Sequence, residues 1–171
     1  MSLLTWRAAG RLDRTALQQF TCTVPLRPYR PNQPRHSKRW ELDVQSGIRA
    51  LQPPVGPDQI LLIGEDASGI AAVTLTAEQD VGPAIVKLQA IAVATRCRGR
   101  GGGYADEALQ VTLEAVEERA SNSGLKEFLA VGWIDPHNHA SKLMCQRAGF
   151  VHLGNTSQAL EEWGITIELE T

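Results

Sequence analysis

The chain has 171 residues, 43% of them hydrophobic and 21% charged, enough for one ordinary globular domain with a sizeable core. A formal net charge of -2 and a pI near 6.1 exclude a surface built as a whole for nucleic acid, so any anion site has to be local. Three cysteines, Cys22, Cys97 and Cys145, are odd in number and lack metal-ligand spacing, which predicts reduced thiols in a cytoplasmic protein and no metal site. MSLLTWRAAGR is too short an apolar run for a signal peptide, and no segment approaches the roughly 18 apolar residues of a membrane helix. A soluble protein is expected.

In chain order, Leu3 to Arg7 reads as a short strand, and Asp13 as the cap of a helix with Leu17 and Phe20 inside. TCTVPLRPYRPNQPRHSKR follows, with Pro25, Pro28, Pro31 and Pro34 at the period of a polyproline II helix and Arg27, Arg30, Arg35, Lys38 and Arg39 between or after them. It is expected to be an extended basic loop. Trp40, Val44, Ile48 and Leu51 mark a second helix, stopped by Pro53 and Pro54. ILLIG (60–64) and GIAAVTLT (69–76) read as a hairpin turning at 65–68, and 85–93 as a third strand of that sheet. A helix with Leu109, Leu113, Val116 and Ala120 on its inner face follows the glycines. KEFLAVGW (126–133) is a further strand. Asp135-Pro136 or Asn138 opens a helix carrying Ala140, Leu143, Met144 and Ala148, closed by Gly149, before strands at 150–153 and 164–169. The predicted order β α α β β β α β α β β describes a single α/β or α+β domain over 1–171 without repeats or linker.

The stretch RCRGRGGGYADEA, residues 96–108, lies between strand and helix. A helix entered through glycines leaves its first N–H groups outward at the positive end of its dipole. Glycines let a diphosphate approach the backbone, and Arg98 and Arg100 add compensating charge. A flexible basic turn is the competing reading. A P-loop is excluded because Gly103 is followed by Tyr104-Ala105 rather than Lys-Ser or Lys-Thr. A dinucleotide fingerprint starting at Gly99 fails because position 104 is tyrosine.

On these residues the sequence resembles the GNAT superfamily of acyl-CoA-dependent N-acyltransferases. Arg98, Gly101 and Gly103 match its Arg/Gln-x-x-Gly-x-Gly/Ala element, and DPHNHASKLMCQRAGF is similar to its asparagine loop, short helix and closing Gly-Phe pair. The resemblance covers residues 60–154 well. It implies a mixed, mostly antiparallel sheet of six to seven strands with about four helices. It further implies that acetyl-CoA binds along Ile91, Ala92 and Val93 and at Arg98, Gly99, Arg100, Gly101, Gly102, Gly103 and Tyr104, with Asn138 nearby. The expected reaction is direct attack by a primary amine on the thioester, promoted by proximity and backbone donors.

An acid for the leaving thiolate and a base for the acceptor remain to be assigned. Cys145 stands seven residues after Asn138, where many members of that superfamily carry tyrosine, and is either a proton donor or a packed structural thiol. Lys87 and Gln89 stand on the strand where some members carry a glutamate, and neither is an obvious base. His137, Glu65, Asp135 and His139 are base candidates whose ordinary roles are loop, turn and cap residues. Arg27 and Arg30 are candidate contacts for an anionic acceptor, an aminoacyl-RNA end included, or else they solvate a stiff loop. Two rivals are a catalytically impaired acyl-CoA-binding module with a regulatory role and a nucleic-acid-binding protein. The acidic pI counts against the second. Either a monomer or a homodimer is compatible with the sequence.

Overall fold

GIAAVTLTAEQ is a run of small and β-branched residues, and in the computed structural model, which describes residues 2–80, 82–99 and 103–170, it forms β3 (Gly69–Gln79), buried without interruption from Ala71 to Ala77. A strand covered on both faces needs no polar alternation, which is why the run reads as continuously apolar. β2 (Gln59–Asp66) and β4 (Gly82–Val93) flank it antiparallel. β1 (Thr5–Ala8), β5 (Glu127–Ile134), β6 (Val151–Asn155) and β7 (Glu161–Glu168) complete, among the described residues, a seven-stranded sheet in the order β1-β2-β3-β4-β5-β7-β6. β4 and β5 pair in parallel, and every other neighbouring pair is antiparallel.

Helices α1 (Arg14–Gln18) and α2 (Arg39–Ala50) bring Leu17, Phe20 and Ile48 onto Leu61, Ile63, Val73 and Leu75. On the opposite face, α3 (Tyr104–Asn122) and α4 (His139–Arg147) gather Leu109, Val116, Met144 and Cys145 with Val86, Phe128, Ala130 and Trp163. The element order is the one the sequence predicts, with ends shifted by a few residues. Asp13 corrects one detail: its carboxylate accepts from Gly10 N–H at 2.7 Å and pairs with Arg7 instead of capping α1. Glu65 and Asp66 belong to β2, so the hairpin turns at Ala67-Ser68 alone. Of the apolar residues read from the sequence in α4, Met144 is buried beside Cys145, while Leu143 is 54% exposed.

The chain's beginning is fastened by one carboxylate. Glu107, in the first turn of α3, accepts from Leu3 N–H at 2.6 Å, Leu4 N–H at 3.0 Å, Ser2 Oγ at 2.8 Å and Trp6 Nε1 at 2.8 Å. Burial pushes its pKa up, but these four donors more than offset that and hold it below its ordinary value. A depressed folded pKa stabilises above the unfolded value of 4.5 and ceases to do so as pH falls through the lower folded value. Glu107→Ala is therefore expected to destabilise the fold by about 2 kcal/mol at neutral pH, since two part-buried donors, Leu4 N–H and Trp6 Nε1, lose their acceptor. Urea unfolding should show that difference shrinking as the pH falls below 4.5. A difference that does not change with pH would contradict this account.

Candidate active site

Along the β3/β4 ladder, Leu75 faces Ala90 while Thr76 faces Leu88, which makes Gln89 an extra residue in β4. A bulge of this kind bends its strand. On its other edge β4 pairs with β5 only from Ile85–Leu129 to Leu88–Gly132, so the two strands part immediately beyond the bulge. Ala94 N–H bonds the Ala71 carbonyl on β3 at 2.8 Å. Strand alternation then turns the N–H and C=O groups of Ile91 and Val93 away from β3, into the gap.

The gap is the floor of a cleft of about 510 Å³, within the size range of small-molecule sites. Ile91, Ala92 and Val93 form one wall, and Trp133, Ile134, Asp135, Asn138, Met144 and Cys145 the other. Arg98, Gly99, Gly103 and Tyr104 close one end, together with Trp40, Glu41 and Val44 of α2. Gly103 caps α3 at φ 68° and supplies no side chain to its first N–H groups. Gly99 is also left-handed, at φ 70°, a conformation costly for any residue with a Cβ. Arg100, Gly101 and Gly102, three of the expected diphosphate contacts, lie outside the described residues.

Arg98 is held in place. Its Nη1 donates to Glu41 Oε1 at 2.8 Å and its Nε to the Val93 carbonyl at 3.4 Å. Glu41 also accepts from Thr23 Oγ1 at 2.8 Å. Burial raises the Glu41 pKa, yet the Thr23 hydroxyl and the Arg98 guanidinium hold it below the ordinary carboxylate range. Gln45, 6% exposed, accepts from the N–H groups of Cys22 and Thr23, at 2.9 and 3.2 Å. The start of the proline loop, α2 and the glycine turn are thus joined by one set of hydrogen bonds. Sequence reasoning did not find Glu41 or Gln45, because nothing local marks a helix residue that pairs with a turn some 57 positions away.

The other expected residues divide. Asn138 stands in the cleft wall and caps α4, its Oδ1 accepting from Ser141 N–H at 3.2 Å. Cys145 also lines the cleft, and burial pushes its thiol up to about 11. The His137 side chain is 83% exposed, with Nδ1 3.0 Å from Asp135 Oδ1, and it is not part of the cleft wall. Glu65 lies on β2, paired with Arg7 at 2.9 Å and away from the cleft. Arg27 and Arg30 are exposed on the loop and line no part of the cleft, which that region reaches through Cys22, Lys38 and Trp40. Trp40, one of the residues that mark α2 in the sequence, is a cleft residue too.

All three thiols are buried and unpaired by disulfides, and all three line this one cleft. Burial raises the pKa of Cys22 as well as that of Cys145. At about pH 8 iodoacetamide is expected to leave Cys22 and Cys145 unmodified in the native protein over minutes and to modify all three thiols in urea, because only the thiolate reacts. Counting modified thiols by mass checks this, and fast native modification of Cys145 would contradict its burial.

No protein-family model matches the sequence. Nor does a search of curated proteins find a similar one. Solved structures do match. The ribosomal-protein-S18-alanine N-acetyltransferase from Escherichia coli aligns over 99% of this chain and 96% of its own at 13% identity, with a TM-score of 0.57. A dodecameric spermidine N-acetyltransferase from Vibrio cholerae aligns over 98% and 95% at 16% identity, with a TM-score of 0.60. PaiA N-acetyltransferase from Thermoplasma acidophilum, in complex with coenzyme A, aligns over 98% and 100% at 12% identity, with a TM-score of 0.62. Near-complete coverage of both chains, together with a β4 bent away from β5 and a glycine-capped α3, leads to one conclusion: this chain has the GNAT acyl-CoA N-acyltransferase fold.

Proposed function

We propose that the protein transfers an acetyl group from acetyl-CoA to a primary amine within a ternary complex. The observation that carries this reading is the cleft that opens where β4 leaves β5 and ends at the glycine-capped start of α3. A pantetheine arm carries amides, and the N–H and C=O groups of Ile91 and the N–H of Val93, all turned away from β3, are the partners it requires, with Ala92 between them. The diphosphate would lie at Gly99, Gly103 and Tyr104, against the unpaired N–H groups and positive dipole end of α3. Arg98 would supply charge there, and Arg100, Gly101 and Gly102 belong to the same proposed cradle. Asn138 would border the arm from the α4 side.

In the reaction the neutral amine attacks the thioester carbonyl, a C–N bond forms, the C–S bond breaks, and the surplus proton leaves the nitrogen. A thiol pushed up to about 11 by burial is a weak proton donor near neutral pH, so Cys145 is read as a packed part of the cleft wall. Among the described cleft residues the carboxylates are Glu41, tied to Arg98, and Asp135, tied to His137. With no free imidazole in the wall, catalysis rests on positioning and backbone polarisation, and the acceptor's proton passes to water or is lost before binding.

Calorimetric titration of acetyl-CoA tests the donor half. The wild type should bind, and Gly103→Glu should bind at least about tenfold more weakly, because its carboxylate would oppose the diphosphate at the helix start. Release of coenzyme A thiol in the presence of a panel of primary amines then tests the transfer. Absence of acetyl-CoA binding by the wild type would overturn the proposal. Binding without amine-dependent thiol release would favour an acyl-CoA-binding module instead.

A further inference from the structure

Lys87 is absent from every role assigned so far, although it stands two residues before the bulge, on the strand that forms one wall of the cleft. Its Nζ sits 3.2 Å from the centroid of the Trp133 ring. Trp133 is itself part of the opposite wall and is 39% exposed. The indole is held from behind, its Nε1 donating to Glu162 Oε2 at 2.9 Å, and Glu162 faces Trp133 across the β5/β7 ladder. Lys87 faces Val131 in the β4/β5 pairing, so by alternation Lys87, Trp133 and Glu162 share one face of the sheet, opposite the face that packs on α3 and α4. Lys87 itself stands just outside the cleft wall, but its neighbours Leu88 and Gln89 and the Trp133 ring beneath its ammonium all line the cleft.

Among the described residues, no hydrogen bond or ion pair holds the Lys87 ammonium. Two of the other three lysines are paired, and the third differs in its exposure. Lys142 Nζ is fixed by the Pro136 carbonyl at 2.7 Å and Glu161 at 3.2 Å. Lys38 lies 3.6 Å from Glu41, and Lys126 is exposed on the surface. The Trp133 face favours the ammonium form, while burial, only partly offset by Glu162, shifts Lys87 towards the neutral amine whose lone pair can attack.

Resting on the acetyl-CoA reading above, we propose that Lys87 is an acyl acceptor within the chain itself, modified on Nζ by the acetyl-CoA bound in the adjacent cleft. The step balances without any further reagent. The neutral Nζ attacks the thioester carbonyl carbon, the C–N bond forms as the C–S bond breaks, and the proton shed by nitrogen goes to the departing thiolate or to water. The products are acetylated Lys87 and coenzyme A. The modification would exchange an ammonium for a neutral amide on the Trp133 face, leave Glu162 without its cationic neighbour, and so change what the acceptor side of the cleft attracts.

The experiment is incubation of the full chain with acetyl-CoA and no added amine, followed by peptide mass mapping of Lys38, Lys87, Lys126 and Lys142 over time. Calorimetry on the same sample establishes whether acetyl-CoA binds. Acetylation of Lys87 at least about tenfold faster than of exposed Lys126, as proximity requires, and suppressed by excess free coenzyme A, is the expected result. Lys87→Arg, which keeps a cation over Trp133, should abolish the fast phase and still bind acetyl-CoA. If acetyl-CoA binds but Lys87 is labelled no faster than Lys126, or Lys38 is labelled instead, the inference falls and the donor reading stands. If acetyl-CoA does not bind, both fall.

Discussion

One surplus residue in one strand organises this molecule. Gln89 has no partner of its own on β3, and accommodating it bends β4 off the line that would have kept it paired with β5. A continuous ladder would have spent the backbone groups of Ile91 and Val93 on sheet hydrogen bonds. The bend releases them at a place roofed by helices on both faces, where unpaired amide groups are costly unless something polar lies against them. The cleft is thus a set of hydrogen bonds withheld from the fold and directed at an extended amide chain.

The far end of the cleft depends on a longer chain of contacts. Arg98 is carried by Glu41, Glu41 is bonded by Thr23, and Gln45 holds the backbone at Cys22 and Thr23. The buried His36 ties the other end of the proline loop, its Nδ1 accepting from Lys38 N–H at 3.1 Å and its Nε2 lying 3.2 Å from Thr23 Oγ1. The loop is therefore anchored at both ends while Leu26, Tyr29 and its arginines stay in solvent. Positive charge at the glycine turn is moderated by a carboxylate already in contact with it. An incoming diphosphate would compete with Glu41 for Arg98, so affinity there reflects an exchange of anions rather than simple addition of one.

The order of elements was legible because local signals repeat along the chain: β-branched runs for strands, apolar residues three and four apart for helices, and proline or glycine at the breaks. Gly103 and its neighbours declared themselves by composition, and Asn138 by its place before a helix. What stayed hidden was non-local. The bulge depends on which β3 residues face which β4 residues, and no property of Gln89 itself encodes that. His137 and Glu65 were plausible by residue type and were placed outside the cleft by the sheet's geometry. Lys87 looked unsuited as a base from its type alone, and its position over Trp133 exists only once β4 and β5 are paired. The insertion of β7 between β5 and β6 is likewise a tertiary fact, and it is what brings Glu162 behind Trp133.

The distribution of indoles has a practical outcome. Of the chain's four tryptophans, Trp40 and Trp133 stand in the cleft, one at its end and one in a wall. Trp163 is packed beneath α4 and Trp6 is bonded to the start of α3. Two of the four indoles thus stand where a ligand would displace water, while the other two lie in surroundings a ligand does not touch. The unmodified chain carries its own optical gauge of cleft occupancy, with an internal reference built in.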